Sequence, residues 1–243
     1  MIDWLRGELQ DPAIDIAGRK LPVAIRRHTR ARRLTMRLAP DGTELRVTLP
    51  SWGRTRDALA FAHSRQEWIA RQLARVPKTV SIENGVNIPY RGQPVTIAWR
   101  KGGPRKVELV NDTLVFGGPE DRMAARVQRW LESEALRFAN EDLHFYCKRA
   151  SLTPPELRLT RARRRWGSCA GDRQARCIRI NWRLVMAPDH VRRSVVAHEV
   201  AHLVHFDHSP AFHRLLGQLF EGDIRRTDTW LKDEGRTLYA AFG

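Results

Sequence analysis

The chain has 243 residues, of which 42% are hydrophobic, and it contains eight Trp and eight Phe. This composition excludes a disordered polypeptide, and the length suffices for one large domain or two small ones. The formal net charge of +16 favours polyanionic partners such as nucleic acid, although an arginine-rich solvated surface explains it equally well.

Three cysteines are too few for a disulfide framework and predict a reducing compartment. The sequence after Met1 has no apolar run of the kind found in signal peptides, and no apolar stretch reaches bilayer length. We therefore expect a soluble cytoplasmic protein without a membrane span.

The first half of the chain alternates apolar and polar residues in short runs, which predicts β-strands. Residues 34–38 and 45–49 predict a hairpin, and residues 55–75 show helical spacing. Residues 79–118 read as short strands separated by glycine-containing turns. We expect a β-rich N-terminal subdomain with one helix over residues 1–118.

The pattern changes at residue 119, where the second predicted domain, residues 119–243, begins. Apolar positions in residues 120–150 predict one long helix, and residues 166–182 predict a second hairpin. Shorter helices are predicted to begin near Pro188, Pro210 and Ile224, the last of them extending to Tyr239. The fold class is therefore predicted to be α+β, and the sequence shows no internal repeat.

The most concentrated chemistry lies in residues 198–213, which hold five of the nine histidines. His198 and His202 have the i, i+4 spacing that places both rings on one helix face, where they can bind one metal ion. Glu199 follows the first histidine, where a carboxylate can take a proton from a metal-activated water. A metal-free core would be poorly served by three histidines and a glutamate near one face, which disfavours a structural histidine cluster.

A catalytic zinc site needs three protein ligands and one open position. His208 is the first candidate for the third ligand, because the turn before Ser209-Pro210 can bring it back towards the metal. Glu221 is the second candidate and His213 is the third. Asp207 either orients a ligand histidine or forms the turn. The sequence thus predicts one Zn²⁺ per chain and leaves the choice of third ligand open.

Several separated segments carry a family resemblance. Residues 165–169 and 180–181, followed by residues 198–212, resemble the YgjP-like metallopeptidase family, which is related to SprT-like and WLM zincin-type proteases. The arginine-rich residues 30–34 also resemble the start of that family. The resemblance covers about residues 20–235, and two motifs in the same order make it specific.

The resemblance implies a minimal zincin-like, gluzincin-type helical metallopeptidase core with a small antiparallel sheet. In such a core zinc is held by His198, His202 and His208, and Glu199 is catalytic. His213 departs from the family pattern, since many relatives are expected to have tryptophan there. This departure concerns the wall of the pocket rather than the metal.

In a zincin-type arrangement, a strand edge beside the active helix can bind an extended peptide through main-chain hydrogen bonds. Residues 177–182 are the candidate strand. Candidates for contacts with substrate or transition state are Arg165, Trp166, Asn181 and His213. An ordinary salt bridge is the alternative for Arg165, and a place in the core is the alternative for Trp166. Cys169 and Cys177 can face each other across the hairpin as buried thiols.

The leading hypothesis is a zinc metallopeptidase that acts on protein or peptide. One alternative is a metal-dependent RNase like the rRNA-maturation endonuclease family YbeY, whose H-x3-H-x5-H spacing matches His198, His202 and His208. That family typically lacks a glutamate after the first histidine, whereas this chain has Glu199. Another alternative is a nucleic-acid-associated protein with a structural zinc, although structural zinc sites favour cysteine.

Overall fold

The structure is a computed structural model, which describes residues 12–39, 42–74, 76, 79–163, 165–171 and 176–242. The chain divides into two compact units, Met1–Lys78 and Thr79–Gly243. The domain boundary predicted after residue 118 stays a prediction. The boundary between the two compact units falls before Thr79, because the strands between residues 87 and 116 share one hydrophobic core with the helices that follow them.

The first unit contains a four-stranded sheet. Its strands are β1 (Ala13–Ile16), β2 (Arg19–His28), β3 (Thr35–Leu38) and β4 (Leu45–Pro50). They are arranged in the order β1-β2-β4-β3, with β2 and β4 parallel and both outer pairs antiparallel. The antiparallel pairing of β3 with β4 confirms the first predicted hairpin.

Two helices, α1 (Thr55–His63) and α2 (Gln66–Ala74), complete the first unit. The sequence predicted a single helix over residues 55–75, which is wrong because the chain turns at Ser64. The Ser64 hydroxyl donates a hydrogen bond to the carbonyl of Phe61 at 2.9 Å, which competes with the continuing helix. Alternate strand residues are buried together with the inner faces of both helices, among them Val23, Leu45, Val47 and Ile69.

The second unit begins with another four-stranded sheet. Its strands are β5 (Asn87–Tyr90), β6 (Gln93–Trp99), β7 (Glu108–Val110) and β8 (Thr113–Phe116). The order β5-β6-β8-β7 has a parallel central pair and antiparallel outer pairs, which repeats the topology of the first sheet. The sequence shows no repeat, so the repetition lies in topology and not in residue pattern.

A short 3-10 helix (Glu120–Arg122) leads into the long helix α3 (Met123–Arg149), which confirms the predicted helix over residues 120–150. The remaining helices are α4 (Asp189–Ala201), α5 (Pro210–Leu219) and α6 (Ile224–Asp233). The last helix ends earlier than predicted, and a 3-10 helix (Gly235–Tyr239) replaces its final turns. Gly235 explains the end, because glycine is a poor former of α-helix.

The third sheet lies beside these helices and contains β9 (Glu156–Thr160), β10 (Gly167–Ala170) and β11 (Cys177–Asn181). The antiparallel pairing of β10 with β11 confirms the second predicted hairpin. However, β9 pairs with β11 in parallel, so the sheet is mixed and not antiparallel as expected. The order β10-β11-β9 leaves β10 at one end of the sheet.

Three sheets and six α-helices make a mixed α+β fold among the residues that the structure describes, as the sequence predicts. The core of the second unit joins α3, α4 and α5 with the second and third sheets. Within the described ranges, no helix is both long and apolar enough to cross a bilayer.

Candidate metal centre

Helix α4 and the residue that caps its C-terminus present the first two histidines. Its apolar residues Val191, Val196 and Val200 are buried in the core, which fixes the face that the helix turns inward. His198 and His202 lie on another face, where both rings are half-buried. Their Nε2 atoms are 3.1 Å apart, as the i, i+4 spacing predicts.

His208 joins this pair from the loop before α5. The Ser209 side chain accepts a hydrogen bond from the backbone N–H of Phe212, so it caps α5 and fixes the end of the loop. The loop returns the ring of His208 to α4, with its Nε2 atom 3.3 Å from the Nε2 atom of His198. The ligand atoms of the three histidines all lie within 4.8 Å of one another.

The nitrogens of this cluster are arranged to bind a metal. Two ligands at the usual Zn–N distance of about 2.0–2.1 Å and the tetrahedral angle are about 3.3–3.4 Å apart. The Nδ1–H of His202 donates to the carbonyl of His205 at 2.9 Å, so in the neutral ring Nε2 is the atom with the free lone pair. Burial, and then the neighbouring rings of His202, His208 and His213, lower the pKa of His198 to about 4. Imidazole nitrogens at these distances suit Zn²⁺.

Phe212 supports all three rings, a role that the sequence reasoning missed. Its fully buried ring lies 4.9 Å from the ring centroid of His198, 4.5 Å from that of His202 and 4.9 Å from that of His208. The signal for this role was its position at the first turn of α5, three residues after the cap Ser209. A rigid aromatic ring under the histidines limits the rotamers that they can adopt.

Glu199 lies beside the cluster with its side chain buried. Its carboxylate accepts a hydrogen bond from the backbone N–H of Cys169 in β10. A Cβ at Gly167 would lie 2.5 Å from Oε1 of Glu199, so only glycine allows this approach. Burial raises the pKa of Glu199 to about 7, although the Cys169 hydrogen bond and the charge of Arg165 oppose the rise. Gly167 is a second functional residue that the sequence reasoning missed.

The other candidates for the third ligand have different neighbours. Glu221 accepts hydrogen bonds from the hydroxyl of Tyr146 at 2.9 Å and from Nε of Arg193 at 2.7 Å. His213 is exposed, with its ring centroid 6.4 Å from that of His208. The cluster of converging ligand atoms contains neither of them.

Asp207 is exposed and accepts hydrogen bonds from the hydroxyl and backbone N–H of Ser209, which lower the pKa of its carboxyl. These contacts agree with the turn-forming role of the two that the sequence left open.

Arg165 and Trp166, which precede β10, have different neighbours. Arg165 is exposed, and its charge acts on Glu199. Trp166 instead packs towards the C-terminal 3-10 helix, with its ring centroid 5.8 Å from that of Tyr239. Asn181 is fully buried, and its amide N–H donates to the carbonyl of Ala162 at 2.8 Å. The polar groups of Asn181 therefore hold the loop that carries Arg165 and Trp166.

The third sheet corrects two expectations. Residues 177–182 were the candidate strand for a peptide, but β11 pairs with β9 on one side and β10 on the other, so both its edges are occupied. The two edge strands are β9 and β10, and β10 is the one that contacts Glu199. Cys169 pairs with Ile178 and Cys177 pairs with Ala170, so the two thiols point to opposite faces and are half-buried.

One of the comparisons with known proteins found a match. A family model described as YgjP-like, metallopeptidase domain, matches residues 32–234. No curated protein and no solved structure matches the chain. A metallopeptidase domain indicates a metal-dependent hydrolase with peptide substrates, and the histidine cluster can hold the metal that this activity requires. The chain belongs to the YgjP-like metallopeptidase family.

Proposed function

We propose that the protein is a zinc-dependent peptidase with a minimal zincin-like core, in which Glu199 is the general base. The observation that carries the proposal is the convergence of the Nε2 atoms of His198, His202 and His208 beside a buried carboxylate. Three histidine ligands without a cysteine are typical of catalytic zinc, which keeps its fourth position open for chemistry.

The metal and the chain have separate roles in the proposed reaction. When bound, zinc supplies Lewis acidity and lets water lose a proton near neutral pH. Glu199 takes that proton and later gives it to the amide nitrogen that leaves. A carboxyl pKa raised by burial to about 7 suits a group that must both accept and donate near neutrality. The hydrogen bond from Cys169 holds the carboxylate in place between the two transfers.

The peptide is proposed to bind along β10. This strand lies at the end of its sheet, so an extended peptide can add to it through main-chain hydrogen bonds. Because β10 also touches Glu199, a peptide bound there lies beside the carboxylate that activates the water. Arg165 is placed to stabilise negative charge that develops on the peptide carbonyl. The amide of Asn181 donates to the backbone carbonyl of Arg165 at 3.4 Å and so helps to hold this residue, and the exposed His213 is proposed to contact the substrate.

The test compares the native chain with Glu199→Gln, using unfolded casein, structured RNA and DNA as substrates, each with and without a chelator. We expect casein to be cleaved by the native chain and the chelator to stop it. Glu199→Gln should keep one zinc per chain and lose activity by about 10²–10⁴-fold, the usual contribution of a general base. Glu234→Gln, an exposed glutamate at the end of α6, is the matched control and should retain native activity.

Two other results would contradict the proposed function. Unchanged casein cleavage by Glu199→Gln would exclude the general-base role. Cleavage of RNA with casein left intact would replace the peptidase by the metal-dependent nuclease.

A further inference from the structure

A surface cavity of about 380 Å³ is lined by six residues, four of which are basic. We call it the basic cavity, and its lining residues are Arg105, Lys106, Val107, Arg126, Arg129 and Trp130. Its volume lies within the usual range of small-molecule sites, about 300–1,000 Å³. The lining contains four cationic side chains and no carboxylate.

Two elements of the second unit build the basic cavity. Helix α3 contributes Arg126, Arg129 and Trp130, which lie on one face because of their i, i+3 and i+4 spacing. The loop before β7 contributes Arg105 and Lys106. A guanidinium N–H of Arg126 donates to the carbonyl of Arg105 and so ties the loop to the helix.

Among the described residues, no ion pair neutralises any of the four cations. Among the ion pairs of residues 79–163, none includes Arg105, Lys106, Arg126 or Arg129. The acidic groups of the same part of α3 pair elsewhere, since Glu132 binds Arg161 and Glu134 binds Arg137. Nε of Arg126 is buried and has no hydrogen-bond partner within the described chain. Uncompensated positive charge around one concave site creates a strong attraction for an anion.

Trp130 gives the basic cavity an aromatic wall. The ring is half-buried, and its centroid lies 4.9 Å from the ring centroid of Tyr90, which holds it in place. The hydroxyl of Tyr90 in turn donates to Glu134 at 2.6 Å. A fixed aromatic ring next to several cations matches a ligand that has a flat π-system and a negative charge close together.

We propose that the basic cavity binds one nucleotide, with the base against Trp130 and the phosphate at the surrounding Arg and Lys side chains. The nucleotide is either free or part of a single strand, because both expose a base face and a phosphate. A duplex hides the faces of its bases, so its bases cannot enter a concave site unless they leave the stack. This site is separate from the metal centre, and the proposal does not depend on peptidase activity.

The test measures fluorescence anisotropy of a labelled oligothymidylate of about 12 nucleotides, a length within the usual site sizes of single-strand binders. Lys106→Gln/Arg129→Gln removes two exposed cations of the basic cavity and should weaken binding about tenfold. It should also reduce the slope of log K against log salt by about 1.4, since each phosphate contact on a single strand contributes about 0.7. Lys148→Gln/Lys232→Gln removes the same charge at exposed positions elsewhere and should change binding by less than about twofold.

A second variant tests the base contact. Trp130→Leu should weaken binding about tenfold and leave the salt slope unchanged, because stacking involves no counterion release. Melting temperatures of all variants show whether each one is folded. An oligonucleotide with 5-iodouracil should crosslink to the tryptic peptide Trp130–Arg137, which reports the site without any substitution.

Competition identifies the occupant. If thymidine monophosphate displaces the oligonucleotide at a similar concentration, the basic cavity is a site for free nucleotides. If it does not, the basic cavity is a site for single strands. Displacement by inorganic phosphate as effective as by the nucleotide would overturn the proposal. Equal losses in the two double variants, or equal affinity for duplex and single strand, would overturn it as well.

Discussion

Replacing Gly167 by alanine tests how the chain places Glu199, its proposed general base. The added Cβ would lie 2.8 Å from Cγ and 2.5 Å from Oε1 of Glu199. Carbon atoms that are not bonded keep about 3.5–4.0 Å apart, so the carboxylate must withdraw by roughly 0.7–1.2 Å. The backbone of Gly167 cannot yield freely, because it is paired with Ile180 in β11. A misplacement of about 1 Å costs about 100-fold in rate, which is the expected loss in kcat.

The assay measures kcat on unfolded casein, zinc content and melting temperature of the Gly167→Ala variant. Zinc should remain at one per chain, because the three histidines lie on other elements than β10. The matched control is Gly217→Ala, where an added Cβ meets nothing within 4 Å in the exposed part of α5. That control should keep native activity and gain about 0.5–1 kcal/mol in the free energy of unfolding. Native turnover in Gly167→Ala with full zinc would refute the placement argument.

Three further predictions concern the ligands, their support and a buried thiol. His208→Ala should lose zinc in metal analysis while Glu221→Gln keeps it, and the reverse result would make Glu221 the third ligand. Phe212→Ala should lower the free energy of unfolding in denaturant titrations by about 3–5 kcal/mol and weaken zinc binding, whereas native zinc affinity would contradict its supporting role. Burial raises the pKa of Cys147 from 9.0 to about 11. Between pH 9.0 and about 11, this thiol is ionised in the unfolded chain and still protonated in the folded chain. The free energy of unfolding should therefore fall more steeply with pH in the native chain than in Cys147→Ala, and equal slopes would contradict this.

The parts of the site that the sequence predicts depend on local geometry. The helical repeat alone places His198 beside His202, and the start signal at Ser209 limits the loop that returns His208. Helix α3 was predictable for the same reason, because its apolar spacing persists over many turns. The family resemblance agreed with these local patterns and with the family model that matches residues 32–234.

The parts that the sequence could not predict depend on register between distant segments. Gly167 matters only because β10 lies against Glu199, and glycines in hairpins are common for other reasons. The position of β11 between β9 and β10 follows from a parallel pairing that no local sequence pattern predicts. The sequence also does not reveal that the first two sheets share a topology, because topology constrains which strands pair and not which residue types they contain.

The rotation of α4 about its axis decides whether the histidines can converge. A roll of about 20° would move a side chain about 5 Å from the axis by roughly 2 Å, well beyond the 0.5 Å tolerance of a functional site. The buried valines set which face of α4 turns inward, and directional polar contacts can fix the rotation more closely. The hydrogen bonds of Arg192 and Arg193 depend on direction. The buried Nε of Arg192 donates to Asp142 of α3 at 2.7 Å, and Arg193 donates to the same carboxylate at 3.1 Å. A buried ion pair adds little net stability, so we expect its main contribution to be the orientation of α4 and of the proposed metal ligands.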